Sequence, residues 1–186
     1  VVDLMPTLQC HYPDPEGALT AWARQFLDRA EITNTQELLG RMTRAIKDRF
    51  RYEERAIHGT QTPVETLRRG SGTCRDFALL MIEGVRSLGL AARFVTGYLY
   101  DPALDGAGPG LSGAGSTHAW VQVYLPGAGW VEFDPTNGLV GGPNLIRVGV
   151  ARDPRQAIPL EGSYRGAAAD FIEMQVEVKV TAGEQR

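Results

Sequence analysis

The chain has 186 residues, 43% of them hydrophobic and 22% charged, with a formal charge of −3. That is the composition of an ordinary globular domain, with enough apolar material for one sizeable core. It argues against nucleic acid as the main partner, because phosphate binding needs a basic face, and no apolar run is long enough to span a bilayer. A cytoplasmic location is the expectation; that no signal peptide is visible says little about it, because the chain's start reads as missing. The chain starts Val1-Val2-Asp3 instead of with methionine, and it reads as a single domain, 1–186, cut from a longer protein.

Residues 1–13, with Pro6 and Pro13, read as an extended lead-in. Asp14-Pro15 looks like a cap followed by a first-turn proline, and Leu19, Trp22, Ala23, Phe26 and Leu27 continue at helical spacing. Thr33-x-x-Gln36 resembles a capping box and opens a second helix with the stripe Leu38, Leu39, Met42, Ile46 and Phe50. Residues 51–62 read as a loop, with a short strand at Phe50 to Tyr52. Thr62-Pro63-Val64-Glu65 opens a short helix that stops at Gly70. After Gly70-Ser71-Gly72-Thr73, a helix with the stripe Cys74, Phe77, Ala78, Met81, Val85 and Leu88 runs to Gly89, a good helix stop.

Strand character follows. Residues 91–100 form the first strand, and 101–115, rich in glycine, alanine and proline, a flexible surface loop. Thr117 to Leu125 and Trp130 to Asp134 pair across the turn Pro126-Gly127-Ala128-Gly129. A further strand is expected at Leu145 to Ala151. In the last run, Ile172, Met174, Val176, Val178 and Val180 alternate with polar residues, which predicts one buried and one wet face. Helices first and an antiparallel sheet second make the fold α+β.

There are two cysteines, too few for a disulfide scaffold or a Cys-rich zinc site. Cys10 reads as a small filler or surface thiol instead of a bridge partner for Cys74. Cys74 stands at a helix start, where unpaired N–H groups and the helix dipole favour a thiolate. Arg75 adds positive charge, and Gly70 and Gly72 would let a substrate backbone come close. On helix pattern alone, however, Cys74 also fits as the first core residue of the stripe.

Of the three histidines, His11 and His58 lie in loops. His118 opens a strand, and Asp134 closes the partner strand, so the carboxylate can hold one ring nitrogen while the other faces a nucleophile. Asp134 also suits the start of the turn Asp134-Pro135-Thr136-Asn137-Gly138. Register decides whether the pair can meet. Leu125 opposite Trp130 would send Asp134 to the wrong face; Tyr124 opposite Trp130 makes it a same-face diagonal neighbour of His118.

The segments Gly72-Thr73-Cys74-Arg75-Asp76-Phe77-Ala78, His118-Ala119-Trp120 and Trp130-Val131-Glu132-Phe133-Asp134-Pro135-Thr136-Asn137 together resemble the core of the transglutaminase-like superfamily. Ser87 to Tyr98 is similar to its helix-to-strand passage. The likeness is greatest to bacterial members described as transglutaminase-like or as cysteine proteases, and it covers the chain from about Cys10 onward. It implies a papain-like fold and a catalytic triad of Cys74, His118 and Asp134. Thr73 and Arg75 depart from the residues common there.

The implied chemistry is attack of the Cys74 thiolate on a carboxamide or peptide carbonyl of a protein or peptide substrate. The resulting thioester would pass its acyl group to an amine or to water. The Cys74 N–H and Tyr52 are candidate oxyanion donors, and Trp120 and Trp130 could wall the site, with Trp130 reading better as core. A peptidase or amidase and an inactive binding module are the competing functions. Animal relatives depend on calcium, but no metal or other cofactor is expected, since the sequence has no compact ligand cluster.

Overall fold

The computed structural model describes residues 4–28, 32–54, 59–101, 117–159, 162–163 and 165–173. Helices precede an antiparallel sheet, as the α+β reading expects. In chain order the elements are α1 Met5–Leu8, α2 Ala18–Arg24, α3 Thr35–Arg49, β1 Arg51–Tyr52, α4 Pro63–Arg69, β2 Ser71–Gly72 and α5 Cys74–Ser87. The strands β3 Ala92–Leu99, β4 Thr117–Leu125, β5 Gly129–Asp134, β6 Leu139–Val140 and β7 Leu145–Ala151 follow. Five strands form one sheet in the order β6-β5-β4-β3-β7, and β1 and β2 form a separate parallel pair.

Helix α5 is buried on almost every side, because both the other helices and the sheet pack on it. Phe77, Leu80, Met81 and Val85 meet Leu39, Met42 and Ile46 of α3 in one cluster with Phe94, Val121, Val123 and Phe133 of the sheet. Each fully buried side chain of this size contributes about 1.5–3 kcal/mol. Alternation turns Val95, Leu99, Trp120 and Leu145 the other way, into a second cluster on the face away from α5.

Some element starts differ from the sequence reading. The lead-in contains a helical turn, α1, with Pro6 in its first turn. Asp14 does cap α2, but from further upstream. The chain turns at Gly17, and the Asp14 carboxylate accepts from the Leu19 and Thr20 N–H groups at 3.2 and 3.0 Å. Asn34 caps α3 in place of Thr33, whose hydroxyl accepts from the Asp28 N–H instead. Thr62 caps α4, which ends at Gly70. The two-residue strand β6 was too short to show a pattern. The loop at 101–115 and the alternating run 172–180 lie almost wholly outside the described residues, as does His58.

Strand β7 carries a bulge against β3 between Thr96 and Gly97. A Cβ on Gly97 would lie 2.1 Å from the Ile146 carbonyl oxygen and 2.7 Å from the Trp120 ring, so this close approach requires glycine. Trp120 is thereby pressed against the backbone of β3, beside His118.

Candidate active site

Residues just before α5 set the position of Cys74. Thr73 is the N-cap, and its side chain and that of Asp76 close a reciprocal capping box; the Asp76 carboxylate accepts from the Thr73 N–H at 2.8 Å. Asp76 is completely buried and also accepts from the Gln61 N–H at 2.7 Å, which ties the preceding loop to the first turn of α5. A Cβ on Gly72 would come within 2.8 Å of the Asp76 Cβ. Gly72 therefore makes room for Asp76, and not for a substrate backbone as the sequence reading had it. The spelling Thr73-x-x-Asp76 was the available signal for this cap, and it was read only as part of a motif.

Cys74 is the first residue of α5, 8% exposed, and not disulfide-bonded; Cys10, also free, is exposed. Its N–H belongs to the first turn, where no intrahelical acceptor exists. Arg75 does not face a substrate space. Its guanidinium donates to the carbonyls of Pro154 and Ala157 at 2.7 and 3.1 Å and lies over the Phe94 ring at 4.8 Å. It pins the chain after β7 to the front of α5.

Strands β4 and β5 pair with Tyr124 opposite Trp130, the register that puts His118 and Asp134 on one face. His118 Nε2 lies 2.9 Å from Asp134 Oδ2, with both side chains fully buried. Asp134 also starts the following turn: Oδ1 accepts from the Thr136 N–H at 2.9 Å, and Oδ2 accepts from Asn137 Nδ2 at 2.9 Å. Both contacts expected of this aspartate, to the ring and to the turn, are present. The contribution of Asn137 was not foreseen. The other ring nitrogen, His118 Nδ1, is buried and makes no well-formed hydrogen bond among the described residues. Cys74 is the side chain close enough to favour a proton there.

The His118 ring stacks on Trp120 at 6.0 Å and 27° between planes. By alternation this pair belongs to the face opposite Ala119, Val121 and Val123, which pack toward α5. His118 is the second residue of its strand and Cys74 the first of its helix, so imidazole and sulfur meet where both elements begin. The register places His118 and Asp134 on one face of the sheet, as the pairing of Tyr124 with Trp130 requires. Burial disfavours a charged His118 ring, but the hydrogen bond and charge of Asp134, together with the nearby Cys74 sulfur, outweigh it and raise its pKa to about 10.

Trp120 is packed behind the histidine and does not wall an open site. Trp130, read as core, instead lies half-buried under the Arg93 guanidinium at 4.0 Å and edge-on to Tyr124. The His11 ring lies against the Pro6 carbonyl oxygen, at 3.1 Å, away from Cys74. Among the described residues no group of three or more His, Cys, Asp or Glu side chains could hold a metal ion, and no helix is long and apolar enough to cross a membrane.

A thiol at a helix start, an imidazole and a carboxylate on adjacent strands define a protein of the papain-like architectural class. Within that class the sequence pattern is specific: residues 20–135 match the transglutaminase-like superfamily. The chain belongs to that superfamily. It is similar to an uncharacterized protein of Mycobacterium leprae (strain TN), 38% identical over 115 residues, covering 62% of this chain and 40% of the relative. An uncharacterized protein of Mycobacterium bovis is 30% identical over 184 residues, covering 96% of this chain and 57% of the relative. The chain therefore spans about half the length of these relatives. Among solved structures, a Cytophaga hutchinsonii protein described as a candidate cysteine protease superposes with a TM-score of 0.67 at 26% identity, over 84% of this chain and 50% of that one.

Proposed function

We propose that the chain is a thiol-dependent acyltransferase or hydrolase acting on a carboxamide or peptide bond, with Cys74 as nucleophile, His118 as acid and base, and Asp134 as the residue that orients the ring. One observation carries this reading. Asp134 holds His118 Nε2 at 2.9 Å, while Nδ1 stays buried, unpaired and next to the only buried thiol among the described residues. A structural histidine would have both nitrogens matched, because an unsatisfied buried polar group costs about 1–3 kcal/mol. An inactive binding module would have no use for that cost.

The raised pKa of His118 means that its ring carries a proton at neutral pH when the sulfur beside it is ionised. The Cys74 thiolate attacks the carbonyl carbon, and the developing oxyanion is met by the Cys74 N–H at the helix start. His118 passes its Nδ1 proton to the leaving amine or ammonia as the C–N bond breaks, giving a thioester. The now neutral ring takes a proton from the incoming amine or water, and the acyl group leaves the sulfur. Asp134 keeps the ring turned throughout, and its own bonds from Thr136 and Asn137 fix it in place.

Hydrolysis with water as acceptor is favoured as a second form of the same chemistry by similarity to the Cytophaga hutchinsonii structure. A peptide library incubated with and without a primary amine, read by mass spectrometry, separates the two: amine-tagged glutamine marks transfer, and cut backbone marks a peptidase. If neither product appears, and no acyl adduct forms on Cys74 with an activated ester, the enzymatic reading fails.

A further inference from the structure

Tyr52 is the last residue of β1, and its Cα pairs with that of Gly72 in the parallel β1–β2 ladder. Gly72 is two residues before Cys74. The Tyr52 ring rests edge-on against Phe77 at 6.5 Å, and Phe77 lies one helical turn after Cys74. Tyr52 is thus fixed on both sides of the nucleophile: through the backbone ahead of it and through the ring behind it. The Glu53 N–H donates to the Gly72 carbonyl at 2.9 Å, which holds this short strand in register. Tyr52 is half-buried, and among the described residues its hydroxyl has no hydrogen-bond partner.

We infer that the Tyr52 hydroxyl is the second donor to the oxyanion formed at Cys74, completing the pair begun by the Cys74 N–H. This rests on the proposed acyl-transfer reading and adds a residue to it. A phenol serves this purpose only while it keeps its proton. Burial, with the neighbouring charges of Cys74, Glu54 and Asp134, raises the Tyr52 pKa to about 12. The hydroxyl therefore remains a donor across the neutral range. The same surroundings exclude it as a base or nucleophile. When sulfur bonds to the carbonyl carbon, the π electron pair moves onto oxygen, and Tyr52 shares its proton with that oxygen without giving it up. On collapse the pair returns, the C–N bond breaks and the hydroxyl is free again, so no net proton passes through Tyr52.

Two probes at the same sulfur test this. Iodoacetamide alkylates a thiolate at carbon without forming an oxyanion, whereas p-nitrophenyl acetate acylates through one. Tyr52→Phe keeps the ring and its contact with Phe77. In the full chain it should lower acylation of Cys74 by about 10²-fold, with alkylation and melting temperature unchanged. Acylation at the wild-type rate in Tyr52→Phe overturns the inference, and so does an equal loss of alkylation, which would place the hydroxyl's effect on the thiol itself. Tyr52→Leu, which also removes the ring, controls for packing: if it alone is impaired while Tyr52→Phe is not, Tyr52 is a packing residue. Failure of the underlying reading looks different, because wild-type Cys74 would then resist both probes.

Discussion

Helix α5 has a buried polar cluster at each end, and the two clusters differ in how completely they are paired. At the C-terminal end Glu83 and Arg86, both buried, form an ion pair of 2.7 Å. The second Glu83 oxygen accepts from the His11 and Tyr12 N–H groups at 2.7 and 3.0 Å. Arg86 spends its other donors on the carbonyls of Thr7, Ala92 and Arg152. Three separate stretches of chain are tied to the helix there. Beside its N-terminal end, by contrast, His118 Nδ1 is buried without a hydrogen-bond partner among the described residues, and so are Trp120 Nε1 on the same strand and Thr136 Oγ1 in the turn after β5. A low-dielectric interior makes both arrangements expensive to alter, but only the second leaves groups free to engage something else.

If that difference separates holding from chemistry, substitutions at the two ends should fail in different ways. The largest effect is expected at Cys74. Cys74→Ala should abolish acylation by p-nitrophenyl acetate, measured as mass added to the intact protein, while Cys10→Ala keeps most of it. Equal loss from both would leave no special role for the buried thiol. Next comes Asp134→Asn, which should slow acylation about 10²–10⁴-fold, since the ring loses the acceptor that fixes its orientation. Glu83→Ala is the opposite case. It leaves the Arg86 charge buried and unpaired, so urea unfolding should show a loss of about 3–5 kcal/mol, with the folded fraction acylating within about twofold of wild type. A Glu83→Ala protein that folds normally but loses acylation would erase the distinction.

Arg75 sharpens the comparison, because it adjoins the nucleophile yet is bonded like a holding residue. Arg75→Gln removes two charge-assisted hydrogen bonds to carbonyls at residues 154 and 157. A loss of about 1.5–3 kcal/mol in urea unfolding, with acylation changed less than tenfold, would assign it to the structural group. Loss of acylation without loss of stability would return it to the site.

The sequence marked the candidate site more clearly than the connections. Cys74, His118 and Asp134 stood out as candidates because each sits in a local word, and because side-chain alternation makes the meeting of the last two a yes-or-no question of register. The roles of Gly72 and Arg75 were not legible. Gly72 is set by contact with Asp76, four residues on but across a turn, and Arg75 by carbonyls some eighty residues away. Neither leaves a periodic trace. The Glu83–Arg86 pair was missed for a related reason: an acid and a base three apart on a helix ordinarily mark a solvated face, and only the packing of the N-terminal arm and β3 over them buries the pair. Trp130 was misassigned because aromatic residues on an antiparallel strand serve either face, and composition does not say which face the helices cover.

A pH dependence of stability again divides the two ends. His118 has a folded pKa raised to about 10, against about 6.5 for an unperturbed histidine. Its protonated ring therefore favours the folded state; that contribution is complete below about pH 6.5 and is lost as pH rises toward 10. Tyr12, on the arm held by Glu83, donates its hydroxyl to Asp153 Oδ2 at 3.1 Å. Burial, followed by the charge of Asp153 and that hydrogen bond, raises its pKa to about 12. An unfolded tyrosine releases its proton near pH 10, so between about 10 and 12 the folded state binds more protons, and stability falls with pH. Urea unfolding across pH 7–11 should thus show two declines. His118→Gln should flatten the one below pH 10 and leave the upper one in place. Tyr12→Phe should do the reverse, in part, because Tyr52 also ionises in the folded state only near pH 12. A His118→Gln protein with the same slope as wild type between pH 7 and 10 would mean that the folded state does not hold the histidine's proton, and the ion-pair form of the mechanism would have to be replaced by a neutral thiol and imidazole.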